Sequence, residues 1–219
     1  MKVSILLAVY NGEKYLKKSI DSIISQSYKD WELLIGFNGT KDSSKNIANE
    51  YSDSRIRIFD YGDDAGKAKT LNKMLKEITG EVIAIQDDDD IWLPKKMEHQ
   101  MKYIEDYDVI GTQIVYINEN EEFVGGPKLC LEDIAIKTLS LNGNNQVANT
   151  SAIVKTEVVK KLNGWKEDLD GIEDFDLWLR LMKSDYKFKN LNTVEVWHRV
   201  HSKSNFNTKK HDLNKILYN

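Results

Sequence analysis

Residues 80–90 read Gly-Glu-Val-Ile-Ala-Ile-Gln-Asp-Asp-Asp-Asp, and this stretch decides the fold of the chain. Residues 82–85 form a short apolar run, rich in β-branched side chains, which is typical of a buried strand. The run leads directly into four consecutive aspartates at 87–90. The pattern therefore predicts a core strand that carries a cluster of carboxylates at its carboxyl end.

Four adjacent carboxylates repel one another unless a positive group offsets their charge. Carboxylate oxygens at a strand end suit Mg²⁺ or Mn²⁺, which usually keep water and phosphate oxygens in their coordination shell. The aspartate run therefore indicates metal and phosphate chemistry. The alternative is an acidic turn with a purely structural role.

Upstream of this stretch, strand patterns alternate with helix patterns. Apolar, strand-like runs lie at 3–10, 31–35 and 55–59, and apolar residues recur at helical spacing at 16–24 and 71–78. A short helix is also expected after the cap-forming residues that precede the third strand. This alternation predicts an α/β fold with a Rossmann-like, mostly parallel central sheet and helices on both faces.

Polar residues follow three of the predicted strands. The pairs Tyr10-Asn11 and Asn38-Gly39 each end a strand, as the aspartate run does. Ligands of such sheets bind at the carboxyl ends of the strands. The three segments are therefore expected to meet at one edge of the sheet and to form the binding site.

The second half of the chain is less regular. Strands are predicted at 108–117, 149–155 and 194–200, and a helix is predicted at 173–183. A further short helix is expected in the tail at 207–219.

Composition limits the function classes. The 219 residues suit one domain, and the net charge of −4 provides no general attraction for nucleic acid. Cys130 is the only cysteine and is expected to pack in the interior, so no internal disulfide is predicted. No run approaches the roughly 18 apolar residues that a membrane span requires. We expect a cytoplasmic protein without a transmembrane segment, for which peripheral contact with a membrane stays open.

Four segments, in order, resemble glycosyltransferase family 2. Residues 3–11 are similar to the family's opening strand, and 38–42 to its second-strand signature, Asp-Gly-Ser-x-Asp. Residues 80–90 resemble its Asp-x-Asp segment, and 171–180 its acceptor-side Glu-Asp segment. The resemblance implies the GT-A fold and inverting transfer of a sugar from a nucleotide-sugar donor.

The same resemblance implies a donor site. Tyr10 would stack on the nucleobase, with Ala8 and Asn11 nearby, and Asp88 would face the donor ribose or sugar. Lys67 lies in the segment where the family has a donor-facing loop, so it could meet phosphate, although solvated surface lysines are an equal alternative.

A metal site is implied as well. Asp89 would bind Mn²⁺ or Mg²⁺ at the donor diphosphate, and Asp87 would serve beside it. Residues 198–202 resemble the family's late Arg-x-His segment, which makes His201 a candidate for completing the metal or diphosphate contact. The alternative for His201 is a structural role.

Asn38 departs from the family pattern. The family usually has an aspartate there, whose carboxylate accepts the imide N–H of uracil. An asparagine carbonyl can still accept that bond, and its amide can donate to a base oxygen. A UDP-sugar donor is therefore expected, although thymidine presents the same edge, and a turn role is the alternative for Asn38.

On the acceptor side, the resemblance assigns the general base to Asp174. Inverting transfer needs a base that takes the proton of the acceptor hydroxyl. Glu173 is expected to hold the acceptor, Trp165 is a candidate acceptor platform, and Asp176 is a weaker candidate base. Glu173 and Asp174 could also serve only the helix dipole, since both lie at a predicted helix start.

These expectations describe one enzyme. It would transfer one sugar per encounter to a saccharide, lipid-linked or protein acceptor, because the processive family signature Gln-x-x-Arg-Trp is absent. Within a single domain, residues 1–105 would bind the donor, 106–205 would form the acceptor side, and 206–219 would be a tail. A nucleotidyltransferase and a non-catalytic nucleotide-sugar-binding module are the alternatives.

Overall fold

The computed structural model describes residues 1–63, 66–169, 171–202 and 213–217. Its strands form one mixed sheet. They are β1 (Val3–Val9), β2 (Trp31–Phe37), β3 (Ile56–Asp60), β4 (Val82–Gln86), β5 (Ile91–Trp92), β6 (Val109–Ile117), β7 (Phe123–Gly125), β8 (Ile153–Lys155) and β9 (Phe188–Arg199). The order across the sheet is β3-β2-β1-β4-β8-β6-β9-β5, and β7 pairs with β6.

The helices cover both faces of this sheet, as predicted. They are α1 (Leu16–Ile24), α2 (Ser44–Asn49), α3 (Lys67–Leu75), α4 (Lys96–Met101), α5 (Asp133–Leu141), α6 (Thr156–Lys161), α7 (Glu173–Lys183) and α8 (Asn214–Leu217). Alternate residues of a strand point to opposite faces. Leu6 of β1 therefore packs in one core with α3 and α7, and the adjacent Ile5 packs in a second core with α1.

The first four strands in the sheet order form the parallel part that the sequence predicted. β1 pairs in parallel with β2 and β4, and β2 pairs in parallel with β3. Their carboxyl ends therefore lie at the same edge. This register places Leu7 beside Gln86, the last residue before the aspartate run.

A glycine brings α3 close to this parallel part. A Cβ on Gly36 would lie 2.8 Å from Thr70 Cγ2 and 2.9 Å from Met74 Sδ. The helix therefore packs directly on β2 at a position where any larger residue would push it away. This contact fixes the start of α3, which carries Lys67, relative to the strand ends.

The second half differs from the prediction in three places. Residues 149–155 are not one strand, because 149–151 make a helical turn closed by a bond from Ala152 N to the Asn149 carbonyl (3.1 Å). β9 begins at Phe188 rather than 194, since polar residues in its first half hide the strand pattern. Strands β5 and β7 and helices α5 and α6 were not predicted.

Helix α7 has the predicted bounds of 173–183. Of the predicted tail helix, the structure describes only 213–217, and 207–212, 218 and 219 lie outside the described residues. No helix in the described ranges has the length and apolar character needed to cross a membrane.

Candidate active site

The segments that follow β1 and β2 meet at the carboxyl edge of the sheet, as predicted. Asn38 N donates to the Val9 carbonyl at 3.2 Å. The side-chain oxygen of Asn11 accepts a bond from Lys41 N at 2.9 Å, and Asn11 itself has a φ of 53°. The left-handed backbone at Asn11, a conformation that asparagine adopts more readily than most residues, turns its side chain onto the second loop.

The residues assigned to the nucleobase lie at this junction. The ring of Tyr10 is 65% exposed, so it is open to stacking by a planar ligand. Asn38 is only 6% exposed, and its Oδ1 has no hydrogen-bond partner among the described residues. A buried acceptor without a partner is costly unless a ligand supplies the donor. Ala8 is half-buried beside Gly36 on the neighbouring strand.

The third segment, residues 87–90, lies against the first. Tyr10 N donates to the Asp88 carboxylate, and a Cβ on Gly12 would lie 2.3 Å from Asp88 Oδ2. Burial, together with the charges of Asp89 and Asp87, holds the pKa of Asp88 well above its usual value. The carboxylates of this loop therefore do repel one another.

Asp89 contacts His201. Their Oδ2 and Nε2 atoms are 2.9 Å apart, and both side chains are partly exposed. Burial alone would raise the pKa of Asp89, but the bond to His201 and the charges of His198 and His201 lower it. The structure thus brings together two of the three residues predicted to bind metal.

Asp87 points elsewhere, toward the acceptor side. Its carboxylate forms a short ion pair with Lys67 Nζ, and the same nitrogen lies 3.9 Å from Glu173 Oε1. Burial alone would lower the pKa of Lys67, but Asp87 and Glu173 raise it above its usual value. Lys67 is therefore a partly buried cation between the loop 87–90 and the start of α7.

Asp90 has a structural position. It is fully buried, and its carboxylate accepts bonds from His198 Nδ1 (2.9 Å) and Arg199 N (2.8 Å). Burial alone would lower the pKa of His198, but Asp90 raises it to about 9, while burial raises the pKa of Asp90 in spite of His198.

The fit of this site to a divalent cation can be judged from its donors. Among the described residues, no three His, Cys, Asp or Glu side chains form a ready ligand cluster. The loop nevertheless holds Asp87, Asp88 and Asp89 close enough to raise the pKa of Asp88, and a cation would relieve that repulsion. Carboxylate oxygens suit Mg²⁺ and Mn²⁺. The residues fit such an ion if water or phosphate completes its shell.

Asp174 lies at the start of α7, next to this cluster. Burial and the Glu173 carboxylate raise the pKa of Asp174 to about 7, although Lys67 lowers it. Glu173 is buried, and its carboxylate accepts a hydrogen bond from Gly171 N in the loop that precedes α7. A carboxylate with a pKa near 7 is suited to general-base catalysis at neutral pH.

Two other acceptor-side candidates lie in the interior. Trp165 is 2% exposed and packs in the core with α3 and α7, so its ring is not an open platform for an acceptor. Asp176 is also 2% exposed, and its carboxylate pairs with Arg180 (2.6 Å) and Lys166 (3.1 Å). Cys130 packs against the same core as expected.

Two residues near the acidic loop were not assigned roles from the sequence. Arg199 is fully buried, and its guanidinium donates to the carbonyls of Asp89 and Asn118 and to Glu121. Gly12 makes room for Asp88. The motif around 198–202 pointed to this region, but only the fold shows which side chain turns inward. Asp64 and Ala65, in the loop before α3, lie outside the described residues.

Comparison with known proteins assigns the family. The model of glycosyl transferase family 2 matches residues 4–157, which is more than half of the chain. The chain belongs to glycosyltransferase family 2. An uncharacterized glycosyltransferase of Methanocaldococcus jannaschii is 33% identical over 213 residues, which cover 93% of this chain and 72% of that protein. A related protein from Escherichia coli, a UDP-Glc:alpha-D-GlcNAc-diphosphoundecaprenol beta-1,3-glucosyltransferase, is 29% identical over 202 residues. These cover 92% of this chain and 78% of that protein.

Solved structures confirm the GT-A fold. Staphylococcus aureus TarS 1–349 with UDP-GlcNAc matches 99% of this chain and 63% of its own, with a TM-score of 0.82 and 16% identity. The mannosyltransferase PcManGT from Pyrobaculum calidifontis with GDP-Man and Mn²⁺ matches 92% of this chain and 58% of its own, with a TM-score of 0.72 and 17% identity. The chain thus spans less than two thirds of these two solved chains. It is a glycosyltransferase, and this membership argues against a nucleotidyltransferase.

The geometry of the acidic loop predicts different effects of two neighbouring substitutions. Asp90→Ala should lower the free energy of unfolding by about 1–3 kcal/mol, because Asp90 is fully buried and its loss leaves the buried Arg199 N without its acceptor. Asp89→Ala should cost less, since the Asp89 side chain is itself 20% exposed and its loss leaves no buried donor unpaired. Urea unfolding at pH 7, followed by tryptophan fluorescence, measures both. Equal losses would contradict the structural role of Asp90.

Proposed function

We propose that this glycosyltransferase is inverting and non-processive, and moves one sugar from a UDP-sugar to an acceptor hydroxyl with Asp174 as general base. One observation carries the proposal. Lys67 pairs with Asp87 of the donor-side loop and lies 3.9 Å from Glu173, the neighbour of Asp174. The implied donor ligands and the implied base therefore line one continuous site.

The reaction would be a single displacement. Asp174 accepts the proton of the acceptor hydroxyl while that oxygen forms its bond to the anomeric carbon. The bond from this carbon to the diphosphate oxygen breaks, and the electron pair leaves with the diphosphate. Lys67 provides positive charge on the donor side, and Glu173 would hold the acceptor.

The donor would lie across the ends of β1, β2 and β4. Tyr10 would stack on the nucleobase, and Asn38 would accept the imide N–H. Ala8 and Asn11 would line the nucleobase site. Asp88 would face the ribose or sugar. A UDP donor has support from the E. coli relative, whose name includes UDP-Glc, and from the TarS complex with UDP-GlcNAc.

Asp89, Asp87 and His201 would hold Mn²⁺ or Mg²⁺ in this proposal. When bound, the ion would offset the negative charge that develops on the leaving diphosphate. The PcManGT complex contains Mn²⁺, which supports the choice of metal. The name of the E. coli relative supports a lipid-linked saccharide as one acceptor class, beside free saccharides and proteins.

The first test concerns the metal. UDP should bind more tightly in Mn²⁺ than in excess chelator, because the ion would offset the repulsion between the diphosphate and the carboxylates of residues 87–89. Isothermal titration measures the ratio of the two affinities. Asp89→Ala should reduce that ratio more than Asp90→Ala in variants shown to be folded. Equal UDP affinity with and without chelator would remove the metal from the proposal.

The second test concerns recognition of the nucleobase by Asn38. Asn38→Ala should weaken UDP binding by roughly 3- to 10-fold, the value of about one hydrogen bond, and should flatten the preference among UDP, dTDP, GDP and ADP. Asn38→Asp, which keeps an acceptor at the same place, serves as the control. Competition binding of the four diphosphates measures the ranking. Unchanged affinities in Asn38→Ala would leave Asn38 as a turn residue.

The third test concerns Asp174. Asp174→Asn should reduce kcat by about 10²- to 10⁴-fold and leave UDP affinity nearly unchanged. The wild-type rate should rise with pH through about 7, because only the ionised Asp174, beside Glu173, Lys67 and Asp87, accepts a proton. Because the pKa of Asp174 is raised in the folded protein, its ionisation destabilises the fold as pH rises toward 7. Asp174→Asn removes that cost, so the variant should melt no lower than wild type at pH 8.

Asp176→Asn is the matched control for this test. It should lower the melting temperature, because it weakens the pairs with Arg180 and Lys166, while kcat stays close to wild type. A near-normal kcat in Asp174→Asn together with a large loss of kcat in Asp176→Asn would show that Asp176, and not Asp174, is the general base. Donor binding without sugar transfer to any acceptor in wild type would indicate the non-catalytic binding module.

A further inference from the structure

Gln86 is a fully buried amide at the last position of β4, directly before the aspartate run. Neighbouring residues of this strand are apolar, and an apolar side chain would fit the sequence pattern equally well. A buried amide is stable only when its donors and acceptor find partners. Its partners therefore show why a glutamine stands there.

The amide of Gln86 uses all of its hydrogens. Nε2 donates to Ser19 Oγ and to the Asp90 carbonyl, both at 2.9 Å, and Oε1 accepts from Thr150 Oγ1 at 3.0 Å. Ser19 belongs to α1, and Thr150 belongs to the helical turn before β8. One side chain thus connects the acidic loop with two elements on either side of β4.

Ser19 extends this connection to the start of the loop. Its hydroxyl accepts from Gln86 and donates to the Asp87 carbonyl at 3.0 Å. The Asp89 carbonyl is held separately by Arg199 Nε at 2.9 Å. The carbonyls of Asp87, Asp89 and Asp90 therefore each accept a hydrogen bond from a buried side chain on the core side of the loop.

This arrangement determines where the carboxylates point. With the backbone of residues 87–90 held in this way, Asp87 and Asp89 direct their carboxylates toward Lys67 and His201. Ligand-bearing loops depend on such supporting bonds, and their loss typically costs about 10- to 100-fold in metal affinity.

We propose that Gln86 is a positioning residue, which together with Ser19 fixes the backbone of residues 87–90 so that the Asp87 and Asp89 carboxylates face the donor diphosphate. The positioning of the loop stands on the contacts above, and only its effect on metal-coupled binding rests on the proposed function.

The test compares Gln86→Met with Gln113→Met. Methionine has similar length and no hydrogen-bonding amide. Gln113 is also buried, and both of its bonds go to Leu129, away from the acidic loop (3.0 and 2.9 Å). Both variants should lose stability, so melting temperature alone does not separate a positioning role from a structural one.

Two measurements do separate them. Hydrogen exchange of peptides covering 87–92 should become faster in Gln86→Met and stay unchanged in Gln113→Met, with protection elsewhere kept. In Mn²⁺, UDP affinity should fall about tenfold or more in Gln86→Met only. Ser19→Ala should change both measurements in the same direction and by less, and it replaces Gln86→Met if that variant does not fold.

Unchanged exchange at 87–92 in the folded variant would overturn the proposal, as would UDP affinity lost equally in both variants. If wild type shows no Mn²⁺ coupling at all, the metal part of the proposed function fails. The exchange result then decides the role of Gln86: faster exchange confined to 87–92 supports it, and no change rejects it.

Discussion

Repulsion among four adjacent carboxylates is the constraint on which this site depends. The fold answers it by giving the aspartates different surroundings and different counter-charges. The pairs are Asp87 with Lys67, Asp89 with His201 and Asp90 with His198. Asp88 accepts a bond from the Tyr10 amide and is attracted by Lys67, but burial and the charges of Asp89 and Asp87 hold its pKa well above the usual value. Bringing these carboxylates together is therefore unfavourable, and a divalent cation would offset their repulsion.

Lys67 links this loop to the second half of the chain. The residue is held at the start of α3, and α3 is held close to β2 because Gly36 has no side chain. Its ammonium group lies between Asp87 and Glu173, so it lowers the electrostatic cost of bringing the acidic loop 87–90 next to the acidic start of α7. Without such a cation, Asp87, Glu173 and Asp174 would repel one another across the same pocket.

Buried polar side chains give the site its shape. Arg199 holds the Asp89 carbonyl and the loop after β6, and Gln86 holds the Asp90 carbonyl. Such interior polar groups cost stability unless every donor is bonded, so they tolerate few alternative backbone arrangements. The acidic loop is thereby kept in one conformation, although its carboxylates favour separation.

The sequence by itself determined the parallel part of the sheet, helix α7 and the meeting of three loops. Each of these follows from local periodicity and from the rule that parallel strands share their carboxyl ends. It did not determine the turn at 149–151 or the start of β9, where Asn190 is buried because its side chain bonds the distant carbonyls of Cys130 and Gln146.

Within the site, the sequence supplied the residue types, and the tertiary structure decided their roles. The run of four aspartates does not indicate that Asp90 turns inward. Asp90 differs from the other three because it bonds His198 and Arg199, which lie more than a hundred residues away in the chain. The same holds for Trp165, which periodicity left open and the packing of α3 and α7 places in the core. Local pattern fixes which face a residue occupies, whereas the charge and burial around it depend on long-range contacts that only the folded chain creates.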